Sequence, residues 1–208
     1  MSQAELTREV ARRVFASEFN DSTYTFKESD DERAPNYALL PTGDRANRVF
    51  FVGTLTETED VGEESEYWRG RVVDPTGTFF IYAGQYQPEA AAALRETEPP
   101  AYVAVVGKPR TYEPEEGTIN VSVRPESISV VDEDVRDRWV VETAERTLER
   151  IEDFREWEAE QEAPESGSTV PSNEYAGMAH EQYDSPVENY RRDVVQALES
   201  LESLETTA

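Results

Sequence analysis

Residues 67–83 read Tyr-Trp-Arg-Gly-Arg-Val-Val-Asp-Pro-Thr-Gly-Thr-Phe-Phe-Ile-Tyr-Ala, and this stretch decides the architecture. Asp74-Pro75-Thr76-Gly77 is a turn signal, because Pro presets φ and Gly tolerates φ above zero. On either side the side chains alternate with a period of two, as strands do. Setting Val73 opposite Thr78 pairs Arg71 with Phe80 and Arg69 with Tyr82. The other face then carries Trp68, Val72, Phe79, Ile81 and Ala83. A slip of one residue would turn every side chain over, so the apolar set fixes the face that looks inward. Arg69, Arg71, Phe80 and Tyr82 are left outside.

Outward from this hairpin the period of two continues. Residues 48–56 form a strand before it, and 101–108 and 119–124 form two after it, with 128–131 extending the last. Between them, 88–95 is an Ala-rich helix opened by Pro88. Three strands, a helix and two strands within 48–131 is the order of an OB-fold, a five-stranded Greek-key barrel. An SH3-like barrel does not normally place a helix between its third and fourth strands. The expected class is mainly β with α flanks.

Those flanks divide by pattern. Residues 1–47 read as an N-terminal helix and a connecting arm. Ser2 and Glu5 have capping-box spacing, Leu6, Val10, Val14, Phe15 and Phe19 recur at helical intervals, and 21–47 is polar with Pro35 and Pro41. Residues 132–157 form a helix whose apolar face includes Trp139, Leu148, Ile151 and Phe154, more than one helix beside a small barrel needs. That face packs either on the chain's own barrel and N-terminal helix or on a partner subunit, and these four are the candidate partner-binding residues. Residues 158–183 read as a flexible acidic linker. Ser185-Pro186-Val187-Glu188 opens a C-terminal helix within 184–208.

Charge narrows the setting. Of 208 residues, 45 are acidic and 20 basic, a formal net of −25, and only Lys27 and Lys108 are lysines. The excess is spread, with nets of −3, −7 and −15 over 1–47, 48–131 and 132–208. Dispersed acidity with little lysine suits molar salt, where the Debye length is about 3 Å. The alternative is an acidic protein with basic partners. No run of about 18 apolar residues occurs and the N-terminus has no apolar signal core, so a cytoplasmic protein without a membrane partner is expected.

The outer hairpin face carries the functional signal. Arginines interleaved with exposed aromatics offer cations for phosphates and flat rings for bases, as single-stranded nucleic acid requires. In OB-folds this strand 2–3 face commonly binds ligands. The competing reading buries Phe80 and Tyr82 under the N-terminal arm or a partner chain. A second basic group, Lys108-Pro109-Arg110-Thr111-Tyr112, falls in the expected loop between strands four and five, and Arg124 points outward if Val121 and Val123 point in. The candidate interface is therefore Arg69, Arg71, Phe80, Tyr82, Lys108, Arg110, Tyr112 and Arg124.

Catalytic signatures are absent. No Walker loop, G-x-G-x-x-G or G-x-S-x-G motif is present. There is no cysteine, and the one histidine, His180, lies in the linker segment. No catalytic residue, metal, cofactor or small-molecule substrate is expected, and the chain reads as a non-enzyme.

Several stretches resemble replication protein A family proteins of salt-loving archaea, and more specifically the proteins associated with a large single-stranded DNA-binding subunit. They are Phe51-Val52-Gly53-Thr54-Leu55, the run 67–77, Tyr82-Ala83-Gly84-Gln85-Tyr86-Gln87-Pro88-Glu89, Tyr102-Val103-Ala104-Val105-Val106-Gly107-Lys108-Pro109 and Val121-Ser122-Val123-Arg124-Pro125-Glu126. The hairpin pattern is widespread among OB-folds, whereas the run 82–89 is much more specific. The resemblance spans about Arg8 to Ile151. It implies single-stranded DNA binding in replication and repair, together with a replication protein A large subunit or a related OB-fold protein. Many such large subunits carry a zinc finger, which a chain without cysteine leaves to its partner. A protein-only adaptor that joins such a complex without touching DNA is the alternative.

Overall fold

The computed structural model describes residues 9–32, 34–162, 173–184 and 186–205. In chain order the elements are β1 (Arg12–Arg13), α1 (Ala16–Asp21), β2 (Thr25–Lys27), β3 (Asn36–Leu40), β4 (Asp44–Ala46), β5 (Val49–Asp60), β6 (Trp68–Asp74) and β7 (Gly77–Ala83). Then come α2 (Pro88–Glu96), β8 (Ala101–Glu115), β9 (Thr118–Val130), α3 (Glu133–Glu162), α4 (Glu174–Gln182) and α5 (Val187–Glu205).

Strands β5 to β9 form the barrel. The sheet order is β1-β5-β6-β7-β9-β8, and a further β5–β8 pairing closes it. The β6–β7 register pairs Val73 with Thr78, Arg71 with Phe80 and Arg69 with Tyr82, as the alternation requires. Val72, Phe79, Ile81 and Ala83 are fully buried, and Phe79 stacks on Phe51 with ring centroids 3.8 Å apart. Helix α2 lies across one end of the barrel and drives Leu94 inward. Gly70 makes this possible, since a Cβ there would stand 2.8 Å from both Leu94 Cδ2 and Ile81 Cγ1.

Four expectations are corrected. Val14, Phe15 and Phe19 are buried, but α1 begins only at Ala16. Arg12–Arg13 instead pairs in parallel with β5 at Val49 and Phe50, and Val10 is exposed. Ser2, Glu5 and Leu6 lie outside the described residues. The connecting arm folds into a second sheet, β2-β3-β4, with Leu39 and Leu40 buried. In the expected linker, α3 runs on to Glu162, and Glu174–Gln182 forms α4 with Asn173 as its N-cap.

The fourth correction concerns the apolar face of the 132–157 helix. Trp139, Ile151 and Phe154 are buried within this chain, and only Leu148 remains substantially exposed. Trp139 packs into the barrel core beside Phe15, whereas Ile151 and Phe154 join Leu39, Ala176 and Tyr190 in a second cluster. The covering elements α1, α4 and β3 come from segments read as helix end, linker and arm.

Helix α1 owes its start to the distant hairpin turn. Its N-cap residue, Phe15, has no side-chain acceptor. Asp74 Oδ2 accepts from the Ala16 N–H at 2.7 Å, and Thr76 Oγ1 accepts from the Ser17 N–H at 3.1 Å. Asp74 Oδ1 also accepts from the Thr76 N–H, the Thr76 hydroxyl and the Gly77 N–H. Burial pushes this carboxyl up to about 6, against the downward pull of those donors. A folded pKa above the unfolded value means that the folded protein takes up the proton first, so this contribution grows as pH falls from above 6 towards 4 and is lost as pH rises. Unfolding free energies of wild type and Asp74→Asn from urea titrations should drift apart by about 2–3 kcal/mol in total across that window. Parallel slopes would show that Asp74 does not titrate there.

Candidate nucleic-acid interface

The outer face of β6 and β7 is a surface of rings and cations. Arg71 and Phe80 are exposed, and Arg69 and Tyr82 are half-buried. Tyr82 lies under Tyr67, with ring centroids 5.7 Å apart and planes 21° from parallel. Burial, followed by the neighbouring Tyr112, raises its hydroxyl pKa, with Arg69 opposing. Tyr67 was missing from the sequence reading, although one more step of the period two from Arg71 and Arg69 reaches it.

The second basic group is not a loop. Residues 108–112 continue β8, which pairs Lys108 with Arg124, Arg110 with Ser122 and Tyr112 with Asn120. The reversal comes later, where Gly117 adopts φ +84°. Pro109 suggested a loop, yet it is accommodated opposite Val123 inside the ladder. Val121 and Val123 are buried and Arg124 is part-exposed, which is the predicted alternation.

Two clefts meet on this face. One, about 450 Å³, is lined by Tyr67, Tyr82, Arg110, Tyr112 and Arg124 among others. The other, about 420 Å³, lies where β7 and β9 diverge and is lined by Arg69, Phe80, Ile119 and Asn120 among others. Tyr82, Tyr112 and Ser122 line both, so the two form one groove with the Tyr82–Tyr112 pair at its waist.

The electrostatics distinguish the cations. Arg69 is held by Glu59 at 2.6 Å and Glu57 at 3.6 Å on the adjacent strand, so it reaches the groove already paired. Lys108, Arg110 and Arg124 crowd one another instead. Burial first, then Arg48, Arg124 and Arg110, lower the Lys108 pKa, with Glu126 opposing. Burial and Arg110 lower that of Arg124. Glu126 is engaged by Arg48 through two bonds of 2.6 and 3.0 Å. Like charges on paired strands are destabilising unless an anion sits between them.

The closed five-stranded barrel with α2 between β7 and β8 defines an OB-fold protein. Solved structures of similar form include a single-stranded DNA binding protein from Mycobacterium smegmatis, with 17% identity over 41% of this chain and 86% of that one, at a TM-score of 0.34. A mitochondrial single-stranded DNA binding protein from S. cerevisiae matches at 15% identity over 41% and 94%, also at 0.34. Asparaginyl-tRNA synthetase from Pyrococcus horikoshii matches at 13% identity over 73% of this chain and 36% of that one, at 0.39. No family model and no curated protein matches the chain.

Proposed function

We propose that this protein binds single-stranded DNA along the groove over β6, β7 and β9, and acts in replication and repair beside a large subunit of the replication protein A type. One observation carries the reading. In a chain of net charge −25, Arg71, Lys108, Arg110 and Arg124 make no ion pair with a described residue. Arg110 and Arg124 line the groove with Tyr82 and Tyr112, whereas Arg71, paired with Phe80, and Lys108, paired with Arg124, flank it without lining either cleft. Rings for bases with cations for phosphates is the combination that sequence-tolerant single-strand binding uses. The replication role and the partner rest on the resemblance of the runs 67–77, 82–89 and 102–109. Of the four candidate partner-binding residues, Trp139, Ile151 and Phe154 are buried within this chain and Leu148 alone stays exposed for such a contact.

Oligo-dT binding in molar KCl tests the reading. Counterion release contributes little when ions are released into a concentrated solution, so stacking dominates at roughly 1–3 kcal/mol per base. Phe80→Ala combined with Tyr82→Ala should abolish binding, whereas Arg71→Ala alone should weaken it only modestly. Fluorescence anisotropy reads both, and the opposite ranking would mean that stacking is not the main term. Absence of binding by the protein alone, with binding restored by its partner, would favour the adaptor.

A further inference from the structure

Tyr86 belongs to the distinctive run 82–89, yet it lies off the β6–β7 face and has no part in the groove described above. It is 83% exposed, more than any other aromatic side chain among the described residues. Its loop is pinned: the Gln87 N–H donates to Gly84 O at 2.9 Å, Gln87 Oε1 accepts from the Gly84 N–H at 3.4 Å, and Pro88 opens α2 directly afterwards. A ring held out on a short, fixed turn loses little freedom when something packs on it.

What it faces is continuous with the groove. A cleft of about 600 Å³ runs between Tyr86 and Pro125, and Gln87 and Arg124 line both this cleft and the tyrosine cleft. Arg124 therefore stands at the junction of the two. Glu126 in this cleft is held by Arg48, leaving Glu89 as the other carboxylate along it. On the opposite side of Tyr86 the lining includes Glu63, Glu64 and Glu66 and no cation for a phosphate.

We propose that Tyr86 is a further nucleobase-stacking subsite: a single strand leaving the β6–β7 face turns over Arg124 and sets one more base on the Tyr86 ring. This rests on the single-stranded DNA reading and adds the strand's exit path to it. Stacking on an exposed ring is tolerant of base identity, so the subsite extends the length of strand held rather than the sequence read.

An oligo-dT series of increasing length, measured in molar KCl, separates the two claims. Short oligonucleotides should bind wild type and Tyr86→Ala alike. Beyond the length that passes Arg124, wild type should gain about tenfold in affinity, Tyr86→Phe should keep that gain, and Tyr86→Ala should lack it. In Tyr86→Trp, fluorescence quenching beyond that of wild type should begin at the same length. If Tyr86→Ala follows wild type at every length, the subsite is overturned while the groove reading stands. Wild type that binds no oligonucleotide of any length overturns both.

Discussion

A chain ended after Asp132 will fail to give a soluble barrel with a cooperative thermal transition. The cause is the position of Trp139, which fills the barrel core from outside the barrel's own sequence. Its ring meets Phe15 edge-on, with centroids 5.4 Å apart and planes at 77°, and its Nε1–H donates to Phe50 O at 3.4 Å. Val140 and Ala144 of α3 and Val194 and Ala197 of α5 are buried in the same cluster as Phe51, Phe79 and Ile81. Loss of a buried Trp side chain alone costs about 3–5 kcal/mol, and whole domains are stable by only about 5–15 kcal/mol. Truncation removes several such contributions and uncovers the apolar surface beneath them. Expression of residues 1–132 in molar salt, followed by a circular-dichroism melt, measures this directly. A soluble product with a sharp transition would mean that the barrel closes without α3.

Glu18→Ala should be the most damaging single substitution of a polar residue, at about 3–5 kcal/mol. Glu18 is 1% exposed, and its Oε2 lies 2.6 Å from Arg150 Nη2. Thr42 donates its hydroxyl hydrogen to Glu18 Oε1, and Arg150 Nε donates to Thr42 Oγ1 at 3.0 Å. Arg150 also donates to Arg13 O at 3.3 Å and to Thr147 Oγ1 at 3.2 Å. One carboxylate thus joins α1, the β3–β4 turn, β1 and α3. Removing it strands a guanidinium inside the protein, and an uncompensated buried charge costs more than the intact pair contributes. Glu18→Ala combined with Arg150→Met should therefore be less destabilised than Glu18→Ala alone. A urea-unfolding double-mutant cycle measures the difference, and additive losses would contradict the coupling.

The candidate interface was partly legible before folding because its logic is local. Period two within one hairpin places Arg71 and Phe80 outside, and no distant residue can change that without destroying the core. The state of Arg69 was not legible. A bulge between Leu55 and Glu57 shifts the β5–β6 register, bringing Glu57 opposite Arg71 and Glu59 opposite Arg69. Strands separated by a loop have no sequence signal for such a shift. The basic run 108–112 was misplaced for a related reason: proline marks loops on average, but a ladder position that needs no N–H accepts it.

The sequence alone determined the barrel, its inward face and the short helix at its end, because each follows from side-chain alternation, a turn tetrapeptide or a helix-opening proline. Tertiary structure decided the rest. Helix α1 is six residues long, too short to hold itself, and it starts where Asp74 and Thr76 receive its free N–H groups. Strands β2 to β4 carry too few residues for a periodicity to register, and they persist because α3 and α4 cover them. The apolar face of α3 could be read as a stripe but not assigned to a partner, since a stripe records that something covers it and not what does. The covering surface comes from segments more than a hundred residues earlier and several tens later, and only their packing brings them to Trp139, Ile151 and Phe154.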